Sequence, residues 1–562
     1  MVNGKKGYFT LVLHSHLPYV RLAGRWPHGE EMVHEALAET YIPLLNALYD
    51  LKAEGVEPRL AIGLTPILLE QIADPGVLEH FDLYLAERTE LAREDVERHR
   101  EGHLHYLANY YLEWYTDVAR SFEERYGRDL VAAFRRLQDE GNLDIITSAA
   151  THAYLPLVAR DSTIYAQLKT GVASYLRRFG RVPRGVWLPE CGYRPAYKHE
   201  NGVPYVKPGL EEFLADLNLF YFFTDTHVTE GSKLIGKAAG DAVGPYGAIP
   251  LRKAAERVDR RPRAERRTTM RPYYVRASKV AVYGRDARTG LQVWSAAHGY
   301  PGDFLYREFH RKDDHSGLQY WRITGAGVDL GQKKLYDPHP AFRLVLDHAK
   351  HFAGLVHERV REHAAQSEVP GVVVSAYDTE LFGHWWFEGI AWLKEVLREL
   401  AASEEVGLIT ADEYLRQYPP DEVLAVPESS WGSGGGHWTW LNPGTDWMWP
   451  QIHEAELKME RLVEAHPSAS GDLARLLDQA AREALLLESS DWPFLISTGQ
   501  AKEYATGRFQ QHVARFNRLA LAAQSGHLSE QNRRFLALLE EVDNPFPAID
   551  YRHFAAREPR PE

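Results

Sequence analysis

Short, unbroken apolar runs alternate along this chain with longer stretches in which apolar residues recur every three or four positions. The runs are Phe9–Leu13, Arg59–Leu64, Leu143–Thr147, Gly185–Leu188, Leu219–Thr224, Val372–Ala376 and Gly407–Ile409. Several are apolar throughout rather than at alternate positions, the mark of a parallel strand covered on both faces. Between them, Glu31–Glu54 and Thr163–Phe179 carry helical spacing. Strands separated by helices predict repeated βαβ units, as a barrel or an open parallel sheet.

Three regions depart from that rhythm. From Leu78 to Gln138 the pattern is helical throughout, which predicts a helical insertion at about 75–140 between two strands. A second stretch, about 231–280, is irregular. Its centre, Arg252–Arg271, holds nine Lys or Arg against three acids, so it is locally basic in an acidic chain. A solvated surface loop explains it, and so does a lid whose Tyr246 reaches a cleft. Beyond Asp421 a loop rich in Gly and Trp, Glu428–Pro450, leads into amphipathic segments at Gln451–His466, Gly471–Glu488, Lys502–Ser525 and Ser529–Val542. The expected division is therefore a catalytic unit over 1–420 and a helical unit over 421–562.

Composition narrows the class. A chain of 562 residues with 44% apolar and 25% charged side chains is globular, not disordered. Its net charge of −13 disfavours nucleic acid as a partner. One cysteine, Cys191, permits no intrachain disulfide and no thiolate-rich metal site, which fits a reducing, cytoplasmic setting. No stretch reaches the roughly 18 apolar residues that a membrane helix needs, and the run after Tyr8 stops at His14 with no cleavage site behind it. Abundant Trp, Tyr and Phe suit both a packed core and the flat apolar faces of sugars.

Candidate chemistry sits just past three predicted strands, where parallel α/β barrels place their active sites. Leu11–Val20 carries His14 and His16, Gly185–Pro195 carries Glu190, and Val372–Trp386 carries Asp378 and Glu380. An ion pair with Arg194 is the ordinary alternative for Glu190, and an N-cap for the following helix is the ordinary alternative for Asp378. Together the two acids suggest the carboxyl pair of glycosidic chemistry. His14 and His16, with His152 at another strand end, could instead bind a metal, as in a polysaccharide deacetylase, or contact sugar. The run Trp431–Trp440 lacks the ending of a phosphate loop, and its glycines suit a backbone that turns sharply to present rings.

The segments His14-Ser-His-Leu-Pro-Tyr-Val20, Thr151-His-Ala-Tyr-Leu-Pro156, Trp187-Leu-Pro-Glu-Cys-Gly-Tyr-Arg-Pro195 and Tyr377-Asp-Thr-Glu-Leu-Phe-Gly-His-Trp-Trp386 resemble the defining regions of glycoside hydrolase family 57, most closely its 1,4-α-glucan branching enzymes. The resemblance runs from about Phe9 to at least Tyr504. It implies an α/β fold, an incomplete (β/α)7 barrel with a helical insertion and a C-terminal α-helical domain. It implies retaining chemistry on an α-glucan such as amylose, amylopectin or glycogen, with no metal and no other cofactor, in a monomer or weak oligomer. Glu190 is then the nucleophile and Asp378 the general acid/base. His14 and His152 then help form the donor-sugar subsite, Trp26 lines it, and His16 is a further substrate-binding residue. Arg285, Gly302, Trp431, Asp491 and Gln500 match substrate-contacting positions, Trp294 and Trp440 look like cleft tryptophans, and Tyr246 matches a lid tyrosine. A 4-α-glucanotransferase or α-amylase of the same family would use the same acids. A glucan-binding protein without activity would not need them.

Overall fold

The computed structural model describes residues 4–199, 205–230, 243–244, 247–248, 267–276, 278–295, 298–525 and 528–557. Its centre is a run of seven parallel strands, in spatial order Gly371–Asp378, Gly7–Ser15, Leu60–Leu64, Leu143–Ser148, Gly185–Trp187, Tyr221–Thr224 and Ala281–Gly284. Among the described residues no strand ladder joins the two ends of this run. Single hydrogen bonds span the gap instead: Asp286 N–H donates to the Val374 carbonyl at 2.8 Å, and Val372 N–H to that of Met270 at 2.8 Å. The barrel is thus incomplete, as expected.

The first strand shows why the apolar runs are unbroken. Phe9, Leu11 and Leu13 pack outward with the helices Ile42–Ala53 and Pro338–Ala364, while Tyr8 and Val12 point into the barrel with Trp187, Phe223 and Tyr283. Both faces are dry, so alternation disappears. Truncating a side chain such as Leu11 to Ala would cost about 2–5 kcal/mol. Side chains on one strand face recur every two residues, so His14 follows Val12 on the inner face, at the end of the strand where the mouth opens.

Two expectations need correction. The run read as Gly407–Ile409 is a short strand, Val406–Leu408, that pairs only with Gly7–Phe9 below the start of Leu60–Leu64. The seventh parallel strand is Ala281–Gly284, ten residues after the basic stretch and directly behind the irregular region expected over about 231–280. The region expected as a lid also ends early. Arg267 and Arg271 pair with Glu422, and Tyr273–Val275 joins the sheet between Ala281–Gly284 and Val423–Leu424. Tyr246 and most of that region lie outside the described residues.

Between the strands Leu60–Leu64 and Leu143–Ser148, helices Pro75–His99, Gly102–Arg120 and Leu130–Asp139 form the insertion. After the barrel come helices Trp449–Ala465, Gly471–Leu487, Asp491–Thr498, Lys502–Gln524 and Glu530–Val542. Their core is continuous with barrel side chains Tyr19, Ile67, Ala150 and Tyr154, so the two parts share one apolar interface. No helix among the described residues is long and apolar enough to cross a membrane.

Candidate active site

Glu190 stands on a tight turn, Pro189–Cys191, directly after the strand Gly185–Trp187. Glu190 and Cys191 both have left-handed backbone, with φ of 61° and 49°. Such residues cost on the order of 1–3 kcal/mol each and persist only where neighbours hold them. Trp431 does so twice. Its backbone N–H donates to the Glu190 carbonyl at 2.9 Å, and its indole N–H donates to a Glu190 carboxyl oxygen at 2.5 Å. Gly192 completes the turn, because a Cβ there would lie 2.8 Å from the Tyr154 ring and 2.9 Å from the Pro189 carbonyl. Arg194 lies over the Tyr197 ring, 5.0 Å from its centre.

Burial pushes the Glu190 carboxyl up to about 7. The Trp431 N–H pulls it down, Asp378 pushes it up and His16 pulls it down. Asp378 ends the strand Gly371–Asp378 in register with His14. It precedes the turn Thr379–Leu381, but its side chain makes no capping bond there. The capping role therefore does not account for it. Glu380, buried two residues on, accepts from the Tyr41 hydroxyl and, at 3.2 Å, from the His16 backbone N–H. Burial pushes Glu380 up to about 8, with Tyr41 lowering it and Asp378 raising it.

Three imidazoles line the same mouth. His14 and His152 meet Nε2 to Nε2 at 3.0 Å, and His16 stacks on His152 with ring centres 3.8 Å apart. His14 also stacks on Trp187 at 4.7 Å. Burial holds His14 and His152 well below the usual imidazole range, so both are neutral. Burial lowers His16 too, but the carboxylates of Asp491 and Glu380 outweigh it, and its pKa is raised. Asp491 accepts from His16 Nε2 at 3.0 Å, and Thr65 Oγ1 lies 3.1 Å from Nδ1. The surroundings thus favour the charged form of His16 and the neutral forms of His14 and His152.

The His16 nitrogens are taken by Thr65 and Asp491, and the Nε2 atoms of His14 and His152 face each other. The group of histidines and acids spaced for a metal, among the described residues, is elsewhere: Glu483, His512 and Asp543, buried in the C-terminal helices with Arg515 paired to Asp543.

The structure therefore brings together Glu190, Asp378, His14, His16, His152, Trp431 and Asp491. Arg285 joins them, its guanidinium 5.8 Å from the centre of the Trp431 ring and paired to Asp225 at 2.9 Å. The other expected residues have the following local settings. Trp26 is 72% exposed on the loop before the helix Glu31–Ala36. Trp294 is 38% exposed at the end of the helix Ala287–Trp294. Gly302, itself exposed, ends the turn Tyr300–Gly302, whose Tyr300 is buried, and Gln500 follows Gly499, which ends the helix Asp491–Thr498. Trp440 needs correction as a cleft tryptophan. It is fully buried, stacked on Tyr154 at 4.0 Å, and its ring edge would lie 2.7 Å from a Cβ at Gly432. It offers no face to a sugar and backs the Trp431 loop instead.

Sequence reasoning missed Tyr41, Thr65, Asp225 and Ser490. Asp225 follows the strand Tyr221–Thr224 and obeys the strand-end rule used for the other acids. Tyr41 closes a π-helical turn, Leu37–Tyr41, a feature frequent at functional sites but invisible to periodicity.

A sequence profile described as glycosyl hydrolase family 57 matches residues 10–427, and one described as 1,4-alpha-glucan branching enzyme, C-terminal, matches 451–554. The chain is 43% identical over 560 residues to a 1,4-alpha-glucan branching enzyme of Thermococcus kodakarensis, covering 99% of this chain and 79% of that one. It superposes on the crystal structure of the Pyrococcus horikoshii branching enzyme with a TM-score of 0.88 at 41% identity, over 99% of this chain and 98% of that one. On the α-amylase AmyC of Thermotoga maritima the TM-score is 0.81 at 31% identity, over 98% and 99%.

Proposed function

The chain belongs to glycosyl hydrolase family 57, and within that family we propose that it is a 1,4-α-glucan branching enzyme that works by double displacement. The observation that carries the chemistry is Glu190, held in a strained turn by Trp431, with its carboxyl raised by burial and, to a smaller extent, by Asp378.

In the first step a Glu190 carboxylate oxygen bonds to the anomeric carbon of an internal α-1,4-linked glucose. Asp378 gives its proton to the departing 4-oxygen, and a β-glycosyl ester forms. In the second step Asp378, now a base, takes the proton of a 6-hydroxyl on another glucan segment. That oxygen attacks the same carbon, Glu190 leaves, and an α-1,6 branch results with net retention. Such chemistry calls for carboxyl groups ~5–5.5 Å apart.

The electrostatics suit these roles. A nucleophile must be ionised to attack and must leave as a carboxylate. The Trp431 N–H and the His16 imidazolium favour that charge, while burial keeps the penalty for neutralising it small. Arg285, braced by Asp225, and the open faces of Trp26 and Trp294 supply donor and stacking groups for glucan. His14, His16, His152, Asp491, Gly302 and Gln500 complete the proposed sugar-binding set, with Tyr246 as a closing residue. The loop at about 231–280, up to where Arg267 pairs with Glu422, is the proposed lid, and residues 421–562 are the proposed second unit of the cleft.

Transfer must outpace hydrolysis, so the acceptor must be bound and water kept away from the ester. An α-amylase reading is favoured by the likeness to the Thermotoga maritima enzyme. Incubation with amylose decides between them: the branching reading requires new α-1,6 linkages by proton NMR or by debranching. Release of reducing ends without such linkages would overturn it. We place the enzyme in the cytoplasm, in glycogen synthesis, in keeping with its single buried cysteine.

A further inference from the structure

Two barrel residues with left-handed backbone, Glu190 and His152, are each gripped twice by one residue from beyond position 420. For Glu190 that residue is Trp431, described above. For His152, with φ 59°, it is Ser490. Ser490 N–H donates to the His152 carbonyl at 3.1 Å, and Ser490 Oγ lies 2.8 Å from His152 Nδ1. The neighbouring backbones pair as well, Ala153 with Ser489, and the Thr151 hydroxyl donates to the Leu485 carbonyl.

Ser490 is also the N-cap of the helix Asp491–Thr498, where a serine hydroxyl ordinarily accepts from the helix's own N–H groups. Here it makes no capping bond. Its hydroxyl turns to His152 instead, at a site that is 1% exposed.

The hydrogen-bond pattern has a direction. The Nε2–Nε2 contact between His14 and His152 has room for one proton. His14 Nδ1 is buried and has no partner among the described residues. If His14 Nε2 carries the proton, it donates to His152 Nε2, His152 Nδ1–H donates to Ser490 Oγ, and every buried N–H of the pair is met. The opposite direction strands an N–H on His14 Nδ1.

We propose that Ser490 is a positioning residue: it holds His152 in its left-handed conformation and accepts the His152 Nδ1–H that the His14-to-His152 direction of the hydrogen bond requires. The C-terminal helices thereby prepare the barrel's donor-sugar subsite. This rests on the reading that His14 and His152 belong to that subsite.

The test uses the full-length chain. In enzyme labelled with 15N-histidine, S490A should shift or abolish the downfield N–H resonances of both His152 and His14. Resonances unchanged from the parent protein would overturn the proposal. In parallel, α-1,4 cleavage of amylose is measured in a double-mutant cycle with H152A. S490A should lower kcat/KM about tenfold in the parent chain and less than about twofold in the H152A background. An equal loss in both backgrounds would mark a merely structural residue and overturn the proposal, as would no loss in the parent. If H152A is too slow to assay, the resonances decide. Counting cleavage rather than branches keeps this outcome separate from a failure of the branching assignment.

Discussion

His14 and Asp378 stand opposite each other in adjacent parallel strands, the last residue pair of the ladder between Gly7–Ser15 and Gly371–Asp378. Eight consecutive partner pairs set that match. Slipping the ladder by one residue would turn the side chains of one strand to the other face, so backbone pairing itself delivers the two groups to one mouth.

Glu190→Gln keeps the shape of the side chain and its contact with Trp431 but cannot form the glycosyl ester. Turnover on amylose should fall by roughly 10⁴-fold or more, with circular dichroism and thermal midpoint unchanged. Activity within tenfold of the parent would remove Glu190 from its assigned role.

Trp431→Phe removes an N–H that favours the ionised carboxyl. A hydrogen bond to a charged group contributes about 1.5–3 kcal/mol, so the Glu190 pKa should rise from its value of about 7 by roughly one unit or more. Glu190 must be ionised to attack. The acid limb of the kcat/KM profile therefore moves to higher pH, with loss greatest near pH 6 and least near pH 9. A limb that stays in place while activity falls evenly would show that Trp431 acts by stacking alone.

Glu380→Gln resembles the protonated form of Glu380, whose carboxyl is pushed up to about 8. Below that pH the variant should behave like the parent, within about threefold. Above it the parent gains a charge beside Asp378 that the variant lacks, so the basic limbs should diverge. Parallel profiles throughout would contradict the burial of a neutral carboxyl there.

Asp225→Asn releases the guanidinium of Arg285 from its 2.9 Å ion pair. The proposed role in holding glucan predicts a KM for amylose raised several-fold with a smaller change in kcat. A change in kcat alone would assign the pair to the chemical step.

Gly192→Ala places a methyl group 2.8 Å from the Tyr154 ring. Relieving that contact should cost about 1–3 kcal/mol, seen as a lower midpoint in urea, and should displace Glu190 so that activity falls with it. A variant of parental stability and activity would show that the turn yields more readily than its packing indicates.

Much of this was legible in the chain alone, for identifiable reasons. The buried parallel strands were readable because both of their faces are dry, leaving apolar runs that no solvent-facing residue interrupts. Glu190 and Asp378 were readable because each follows such a run directly, and a strand end is a short-range feature. The strand Ala281–Gly284 was not, since it abuts the irregular region at about 231–280, where the pattern marks no strand boundary. Trp440 misled because composition cannot tell a tryptophan that faces a cleft from one pressed beneath Tyr154.

By itself, then, the order of residues determined the parallel strands, the helical C-terminal segments and the acids that carry the proposed chemistry, all of which depend on neighbours within a few positions. Only the tertiary structure decided which distant groups set the charge and orientation of those acids. Trp431 on Glu190, Asp491 on His16, Tyr41 on Glu380 and Ser490 on His152 are separated by hundreds of positions along the chain. The first, second and fourth form only when the chain beyond position 420 and the barrel bury a common apolar face, the third only when two distant barrel segments meet, and no local periodicity records them.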